Sequence, residues 1–413
     1  MKIDKKQRKY NGLQNEDPLQ RYQNHVDHVR ACEAQRLGYP VAGAIDHSDY
    51  DLGIVPKSIL DVYLNNIGNP YDMPSSFHHH AKTFEQEVIG LCAHYLGLDP
   101  STRGYITSGG TEGNFAGLWW AREYGLNYGT TKIMPKVWIS TAAHYSISKA
   151  AHQLALDMAY IPATMRGAMD LTLLAEQLKQ HPIEQAVIVV ATLGTTQTGG
   201  IDDVLAIRDL IDTHIISRGG IARLHLDAAL LGLALPVLFP STYLSVLAAV
   251  DSVAISAHKL LAARMLISGI VLTSAAYLKS VFSGKKNKIS YIGGLHDITV
   301  SGSRSGSAAI ALHHRLTQLE FAQKGAPLRN YILESMRLAQ YFYDALTQIV
   351  PREQVMLGDN QLTLVFPRPS HAAALIQTYS LMPINEDKLG VCVLSHVNQK
   401  MIDAFLLDYR SLV

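Results

Sequence analysis

The sequence predicts an α/β fold with a largely parallel sheet. Short apolar runs rich in Val and Ile alternate with helical stretches from about residue 100 onward. The runs are apolar at nearly every position, which is typical of strands that helices cover on both faces. The predicted strands are 105–107, 136–141, 186–192, 222–227, 252–255 and 267–273. The predicted helices between them are 111–124, 144–156 and 204–216.

A smaller α/β domain is predicted to follow this region. Its elements are a helix at 329–349, strands near 362–366 and 390–394, and a terminal helix at 397–408. The predicted organisation is an N-terminal arm (1–60), a large domain (61–306) and a small C-terminal domain (307–413). The first 35 or so residues are charged and rich in Gln and Asn, so we expect a mobile arm or a helix that docks onto another subunit.

Composition and charge narrow the class of protein. The 413 residues are 48% hydrophobic and 17% charged, which is typical of a soluble globular protein. Thirty-six Lys and Arg nearly balance 35 Asp and Glu. Without a net positive field, binding to nucleic acid or to an anionic membrane is not expected. The expected partner is a small molecule or another copy of the chain.

Localisation is predicted from what the sequence lacks. The N-terminus is polar and has no apolar stretch typical of a secretory signal. No apolar run reaches the 18 or so residues that a membrane span requires. The three cysteines, Cys32, Cys92 and Cys392, form no disulfide pattern and no CxxC metal site. A reducing compartment, the cytoplasm, fits this usage.

Two charged residues follow predicted strands. Lys259 lies just past the strand in SVAISAHKLL, where a desolvated amine would be suited to forming an imine with an aldehyde. Asp227 ends the strand in LHLDAALLG, and the small alanines after it would let a flat ring approach. Its carboxylate could keep a pyridine nitrogen protonated. Taken singly, the lysine also fits a surface position and the aspartate a helix cap.

Three further features lie at strand-to-helix junctions. The Gly-rich turn 108–114 suits a phosphate, because its N–H groups begin a helix and its glycines admit close approach. It matches neither the Walker A pattern nor GxGxxG. His144 could stack on a ring and contact a substrate carboxylate, or be structural. Thr195 and Thr196 could reach a ring oxygen, or simply cap a turn. The five features in this order are far more specific than any one of them.

These motifs resemble the group II pyridoxal 5'-phosphate (PLP) amino acid decarboxylases of fold type I, and most of all the bacterial histidine decarboxylase and plant serine decarboxylase branch. The resemblance spans about residues 35 to 410. It rests on the segments NNIGNP (65–70), FEQEVIG (84–90), YITSGGTEGN (105–114), HYSISKA (144–150), ATLGTT (191–196), HLDAALLG (225–232), SAHK (256–259) and SGSRSG (301–306). It implies a large domain with a mostly parallel seven-stranded sheet and a smaller C-terminal α/β domain.

The resemblance implies a role for each matching position. Lys259 would hold the cofactor, Asp227 would pair with the pyridine nitrogen, and His144 would stack on the ring opposite Ala229. The residues expected to contact the phosphate or the ring oxygen are Ser108, Gly109, Gly110, Thr111, Ser256, His258, Thr195 and Thr196. Ser303 and Arg304 resemble a stretch that a neighbouring subunit contributes, which implies a homodimer. Asn66 and Arg304 are expected on the substrate side.

The implied reaction is decarboxylation of an L-amino acid to the amine and CO₂, with histidine the first candidate and serine, aspartate-like or aromatic amino acids behind it. Tyr291, in the Gly- and Lys-rich loop 283–296, is a candidate for the acid that protonates Cα, with Lys259 and His144 as rivals. The alternatives are another PLP reaction (a lyase, an aminotransferase or an aldehyde-forming decarboxylase) and a homologue without turnover.

The sequence departs from the family pattern in two places. Leu-Leu-Ala-Ala-Arg-Met follows Lys259 where the family has Gly and Pro, and YDMPSSFHHHA fills 71–81 in place of Asn- and Arg-containing text. Both departures bear on the shape of the pocket. The three histidines 78–80 are expected to form a loop or pocket wall and not a metal site, since no second ligand cluster is evident.

Overall fold

The computed structural model describes residues 18–33, 35–38, 62–73, 77–263, 268–282, 288–289 and 295–413. Its strands are β1 (Thr102–Thr107), β2 (Lys136–Ser140), β3 (Asp157–Ile161), β4 (Val187–Thr192), β5 (Ala222–Asp227), β6 (Ser252–Ser256), β7 (Gly269–Ser274), β8 (Lys288–Ile289), β9 (Leu295–His296), β10 (Met356–Leu357), β11 (Thr363–Pro367), β12 (Met382–Pro383) and β13 (Lys388–Cys392). Its helices are α1 (Pro18–Glu33), α2 (Lys82–Leu96), α3 (Gly110–Tyr128), α4 (Tyr145–Gln153), α5 (Leu171–Gln180), α6 (Val204–His214), α7 (Leu235–Leu238), α8 (Tyr243–Ala248), α9 (Ala275–Phe282), α10 (Gly306–Gln318), α11 (Ala326–Leu346), α12 (Ala373–Tyr379) and α13 (Gln399–Arg410).

A seven-stranded sheet forms the centre of the large domain, in the order β1-β7-β6-β5-β4-β2-β3. Strands β3, β2, β4, β5 and β6 run parallel, and β7 runs antiparallel to both β6 and β1. The predicted mostly parallel α/β sheet is therefore confirmed. Strands β4 and β6 are buried along their whole length, because helices cover both faces.

The prediction missed β3, which is the edge strand next to β2. Its sequence, DMAYI, has exposed residues at Asp157 and Tyr160, and only Ile161 is fully buried. An edge strand needs burial on fewer sides, so its sequence gives a weaker signal than a central strand. The other predicted strands of this sheet are present, with ends shifted by up to three residues.

A second sheet, in the order β10-β11-β13-β12, lies in the C-terminal part of the chain. It packs on α11 and α13 around a core of its own that includes Phe342, Phe366 and Phe405. The smaller C-terminal α/β domain is thus present. The boundary at 306/307 stays a prediction, although α10 buries Leu312 and Leu316 in the core of the large sheet.

Among the described residues, no helix is both long and apolar enough to traverse a bilayer. In the same part of the chain no His, Cys, Asp and Glu side chains converge in a metal-binding group of three, His78 to His80 included. Cys32, Cys92 and Cys392 are all free thiols, as the sequence predicts.

Candidate active site

The carboxyl edge of the parallel strands brings the predicted residues together. Asp227 at the end of β5 lies in register with Thr192 of β4 and Ala254 of β6. Pairing continues past the strand ends, since the N–H of Ser256 donates to the carbonyl oxygen of Ala229 at 3.1 Å. Lys259 follows three residues after Ser256. The turns after β5 and β6 therefore face each other across one pocket.

Lys259 is the amine of this pocket. Its side chain is largely withdrawn from water, and this burial lowers the pKa of the amine, while the charge of Asp227 acts in the opposite direction. The carboxylate thus lies close enough to the amine for its charge to act on it. A lowered pKa increases the fraction of free amine, which is the form that attacks an aldehyde.

Asp227 is buried, and neighbouring groups fix its carboxylate. The side-chain amide of Asn114 donates to Oδ2 at 3.0 Å, and the N–H of Ala229 donates to Oδ1 at 3.2 Å. The second contact caps the turn after β5 and not a helix N-terminus, which was the alternative that the sequence left open for Asp227. The carboxylate is held in one orientation as a result.

His144 begins α4 as its N-cap residue. Its Nδ1 accepts from the N–H of Ser146 at 3.3 Å and lies 2.8 Å from the Ser146 hydroxyl. Burial lowers the pKa of His144, and the charge of Asp227 opposes this effect. A neutral imidazole whose Nδ1 accepts must carry its proton on Nε2. The His144 ring therefore presents an Nε2–H donor.

The Gly-rich turn forms a narrow cradle at the start of α3. A Cβ on Gly110 would lie 2.5 Å from Oγ of Ser256 and 3.2 Å from Cβ of Ala229, so only glycine fits there. No side chain caps the N-terminus of this 19-residue helix. Ser108 and Thr111 are exposed at its rim. Uncapped N–H groups, a helix N-terminus and the nearby Ser256 hydroxyl suit a phosphate.

His258 has a buried Nδ1 without a hydrogen-bond partner in the described part of the chain. Burial lowers the pKa of this imidazole, and the charge of Lys259 lowers it further. Together with the cradle, the Lys259 amine and the Asp227 carboxylate, this group fits the phosphate, aldehyde and pyridine nitrogen of PLP. Lys259, Asp227, His144, Gly109, Gly110, Ser256 and His258 are the residues that would hold it.

The two adjacent threonines differ in their contacts. The Thr195 hydroxyl accepts from the N–H of Gly200 at 2.8 Å and lies 2.9 Å from the Thr198 hydroxyl, so it is engaged in the turn after β4. The Thr196 side chain is partly buried and makes no such contact among the described residues. Thr196 is therefore the better placed of the two to contact a ring oxygen.

Asn66 and Arg304 lie together in a second buried group, which we call the Glu85 cluster (Asn66, Glu85 and Arg304). Asn66 donates to Oε2 of Glu85 at 2.8 Å, and Arg304 forms an ion pair with Oε1. Arg304 also donates to the carbonyl oxygen of Gly68 at 2.8 Å. Both side chains are thus engaged within the subunit, and their predicted contact with substrate stays a prediction.

Ser303 is exposed, and its hydroxyl accepts from the Asn65 amide at 3.0 Å. Gly302 and Ser303 are both exposed, so this stretch reaches the surface of the chain. Its contribution to a neighbouring site stays a prediction. Tyr291 and most of the loop 283–296 lie outside the described residues, as do residues 264–267 of the unusual segment after Lys259.

Several residues of the site were not assigned from the sequence. Asn114 lies within the Gly-rich turn, and His225 precedes Asp227 by two residues and so faces the same side of β5. That spacing could have identified His225 as a neighbour of the site from the sequence alone. Cys392 comes from β13, and burial raises the pKa of its thiol to about 11 while the charge of Lys259 acts against this. Only the tertiary fold brings this thiol near Lys259.

Comparison with known protein families gives a match to the model described as the pyridoxal-dependent decarboxylase conserved domain, over residues 84–368. Histidine decarboxylase of Solanum lycopersicum is 30% identical over 90% of this chain and 83% of its own length. Histidine decarboxylase of Mesorhizobium japonicum is 31% identical over 80% of this chain and 82% of its own. Serine decarboxylase 3 of Oryza sativa is 29% identical over 91% of this chain and 78% of its own length.

Solved structures share the fold at lower identity. L-methionine decarboxylase from Streptomyces sp. 590 superposes with a TM-score of 0.80 at 21% identity, over 96% of this chain and 95% of that one. Sphingosine-1-phosphate lyase of Burkholderia pseudomallei gives a TM-score of 0.74 at 17% identity, over 100% of this chain and 92% of that one. Enzymes with different reactions thus have this fold, and the fold alone does not identify the reaction.

Proposed function

Because the chain belongs to the pyridoxal-dependent decarboxylase family, and is a PLP-dependent amino acid decarboxylase, we propose that its substrate is L-histidine, which it converts to the amine and CO₂. The observation that carries the site assignment is that Asp227 and Lys259 lie at or just after the ends of two neighbouring parallel strands, β5 and β6, whose turns pair through Ser256 and Ala229. We assign Lys259 to the cofactor aldehyde and Asp227 to the pyridine nitrogen.

When bound, PLP supplies an aldehyde that links to the substrate amine and a protonated ring that accepts the electron pair left by departing CO₂. Lys259 would hold the cofactor aldehyde, and Asp227 would keep a proton on the ring nitrogen. The hydrogen bonds from Asn114 and Ala229 would keep the carboxylate oriented for that contact. The glycine cradle and Ser256 would hold the phosphate.

His144 positions the substrate. Its ring and Ala229 would pack against the bound cofactor, and its Nε2–H would donate to the substrate carboxylate and so orient the bond that breaks. Tyr291, Lys259 and His144 remain the candidates for the acid that returns a proton to Cα.

The choice of histidine is supported by the similarity to histidine decarboxylases, among them those of Solanum lycopersicum and Mesorhizobium japonicum. Serine is the second candidate, since the serine decarboxylase of rice is similar at 29% identity. We also propose a homodimer in which Ser303 and Arg304 complete the neighbouring site, and a cytoplasmic location, which suits the free thiols of Cys92 and Cys392.

The test is incubation of the purified protein and PLP with each of the twenty amino acids, with CO₂ and amine measured together. We expect equal amounts of histamine and CO₂ from histidine, and little from the others. Amine and CO₂ formed from serine instead would identify serine as the substrate and would leave the proposed reaction unchanged. A keto acid, an aldehyde or a cleaved side chain without the amine would contradict the proposed reaction.

A further inference from the structure

We propose that Asn114 and His225 are positioning residues that aim the Asp227 carboxylate at the cofactor ring and fix the proton on His144. The proposal rests on the roles of Asp227 and His144 in the proposed function. It concerns one continuous set of hydrogen bonds beneath the pocket, which we call the carboxylate network (Asn114, Ser146, His225, Asp227 and Ser252).

The acceptor-only chemistry of a carboxylate fixes the orientation of Asn114. Its Nδ2 lies 3.0 Å from Oδ2 of Asp227 and 3.0 Å from Oγ of Ser146. An ionised carboxylate can only accept, so Nδ2 and not Oδ1 of the amide must face it. Both N–H groups of the amide are then used, and Oδ1 is left as an acceptor.

The tautomer of His225, the next residue of the network, follows from the same argument. Its Nε2 lies 3.0 Å from Oδ1 of Asn114, and its Nδ1 lies 2.7 Å from the Ser252 hydroxyl. Because Oδ1 accepts, Nε2 must carry a proton. The imidazole is neutral, since burial lowers its pKa to about 4, so Nδ1 accepts from Ser252. The hydrogen bonds from Ser252 through His225 and Asn114 therefore run in one direction and end at Asp227.

A branch of the network reaches the other face of the pocket. Because Ser146 Oγ accepts from Asn114, its own proton is free to point at Nδ1 of His144, 2.8 Å away. This contact adds to the Ser146 N–H in keeping Nδ1 an acceptor and the proton on Nε2. One amide thus orients both the carboxylate for the ring nitrogen and the donor for the substrate.

Burial and packing make the network rigid. Asn114 and His225 are each 1% exposed, and Asp227 is 3% exposed. A Cβ on Gly117 of α3 would lie 2.2 Å from Nδ1 of His225, so the helix touches the imidazole directly. Water has no access to replace a lost partner, and a broken contact leaves the next group unsatisfied.

The first measurement uses the protein without cofactor. The ¹⁵N NMR spectrum of histidine-labelled protein, with His225 assigned from the spectrum of His225→Gln, should show a neutral ring with its proton on Nε2 from pH 7 down to about 5. A His225 ring that titrates at its ordinary pKa, or carries its proton on Nδ1, would overturn the proposal whatever the enzyme's reaction is.

The second measurement is the affinity for PLP, obtained by equilibrium titration of folded protein. Asn114→Leu keeps the size of the side chain and removes its hydrogen bonds, and His225→Phe does the same for the ring. We expect roughly 10- to 100-fold weaker binding in both, the loss typical of a hydrogen bond to a charged group. His225→Gln retains an N–H near Nε2 and should recover most of the affinity.

Tyr379→Phe is the matched control, since its hydroxyl donates to Asp408 at 2.7 Å in the small domain. It should lower stability without changing PLP affinity. If Asn114→Leu behaves like this control while Asp227→Asn weakens binding, the network is only structural and the proposal fails. If Asp227→Asn also binds PLP normally, the fault lies in the role assigned to Asp227.

Discussion

The carboxylate network and the Glu85 cluster are both buried polar groups built around one acid. They differ in whether a cation of the protein pairs with that acid. Glu85 accepts from Asn66, from the N–H of Ile106 at 2.9 Å and from the guanidinium of Arg304, so a cation pairs with it inside the protein. Asp227 accepts one hydrogen bond at each oxygen, from Asn114 and Ala229, and both of these donors are neutral.

This difference separates an acid that holds the fold together from one that faces a ligand. Arg304 and Glu85 neutralise each other, and Arg304 ties the segment around Gly68 to β1 through the carbonyl oxygen of Ile106. A buried ion pair of this kind is costly to break, because the remaining charge has no solvent. The Asp227 carboxylate has only neutral hydrogen-bond donors in the described part of the chain, and in the proposed function a cationic ring nitrogen would supply the missing charge.

The largest effect is expected at Lys259. Lys259→Ala should abolish CO₂ release, because no other amine is assigned to hold the cofactor, while the thermal unfolding temperature changes little. Product assays and a thermal melt on the same preparation check this. Turnover retained by Lys259→Ala would refute the assignment of this amine.

Arg304→Met tests the Glu85 cluster. Removing the guanidinium leaves the Glu85 carboxylate buried and unpaired, and we expect a loss of about 3–5 kcal/mol in the free energy of unfolding. Urea denaturation measures it, and adding Glu85→Gln should restore part of the loss. A stability near that of the wild type with a raised KM would instead favour the substrate contact that the family resemblance implies.

The pH dependence of stability tests the carboxylate network. Burial lowers the pKa of His225 from 6.5 to about 4, which corresponds to about 3 kcal/mol. The folded ring stays neutral while the unfolded ring takes up a proton, so this contribution is complete above pH 6.5 and is lost as the pH falls toward 4. His225→Gln should therefore show a shallower loss of stability over that range in urea titrations, and an unchanged slope would contradict a neutral buried ring.

The smallest effect separates the two threonines. Thr195→Val removes the acceptor of the Gly200 N–H and should cost about 1 kcal/mol of stability. Thr196→Val should leave stability unchanged and weaken PLP binding. Denaturant midpoints and PLP titrations of the two variants make the comparison, and the reverse pattern would exchange their roles.

Much of the fold could be predicted because the central strands are almost wholly apolar. β5 has the predicted ends, and β6 differs by one residue. Strand direction could not be predicted for β7, since an apolar run looks the same in either orientation and its antiparallel pairing depends on the connection that follows β6.

The candidate site also has a part that could be predicted from the sequence and a part that could not. That Lys259, Asp227 and His144 lie at one edge of the sheet could be predicted, because each lies at or just after the end of a strand and parallel strand ends share one edge, whereas their roles stay predictions. The partners of these residues were not, because Asn114 and Cys392 reach the site from other elements. The roles of Asn66 and Arg304 depended on Glu85, whose spacing in sequence gives no sign that it lies between them.

The glycine-lined face of α3 bears on how such a pocket can change over evolution. Added methyl groups at Gly113 and Gly117 would meet Ala254 at 3.0 Å and His225 at 2.2 Å, so the helix has no room to slide or turn on the sheet. The floor of the pocket is thereby locked in place. We therefore expect differences in substrate specificity to arise in the surrounding loops, such as residues 71–81, whose sequence departs from the family pattern.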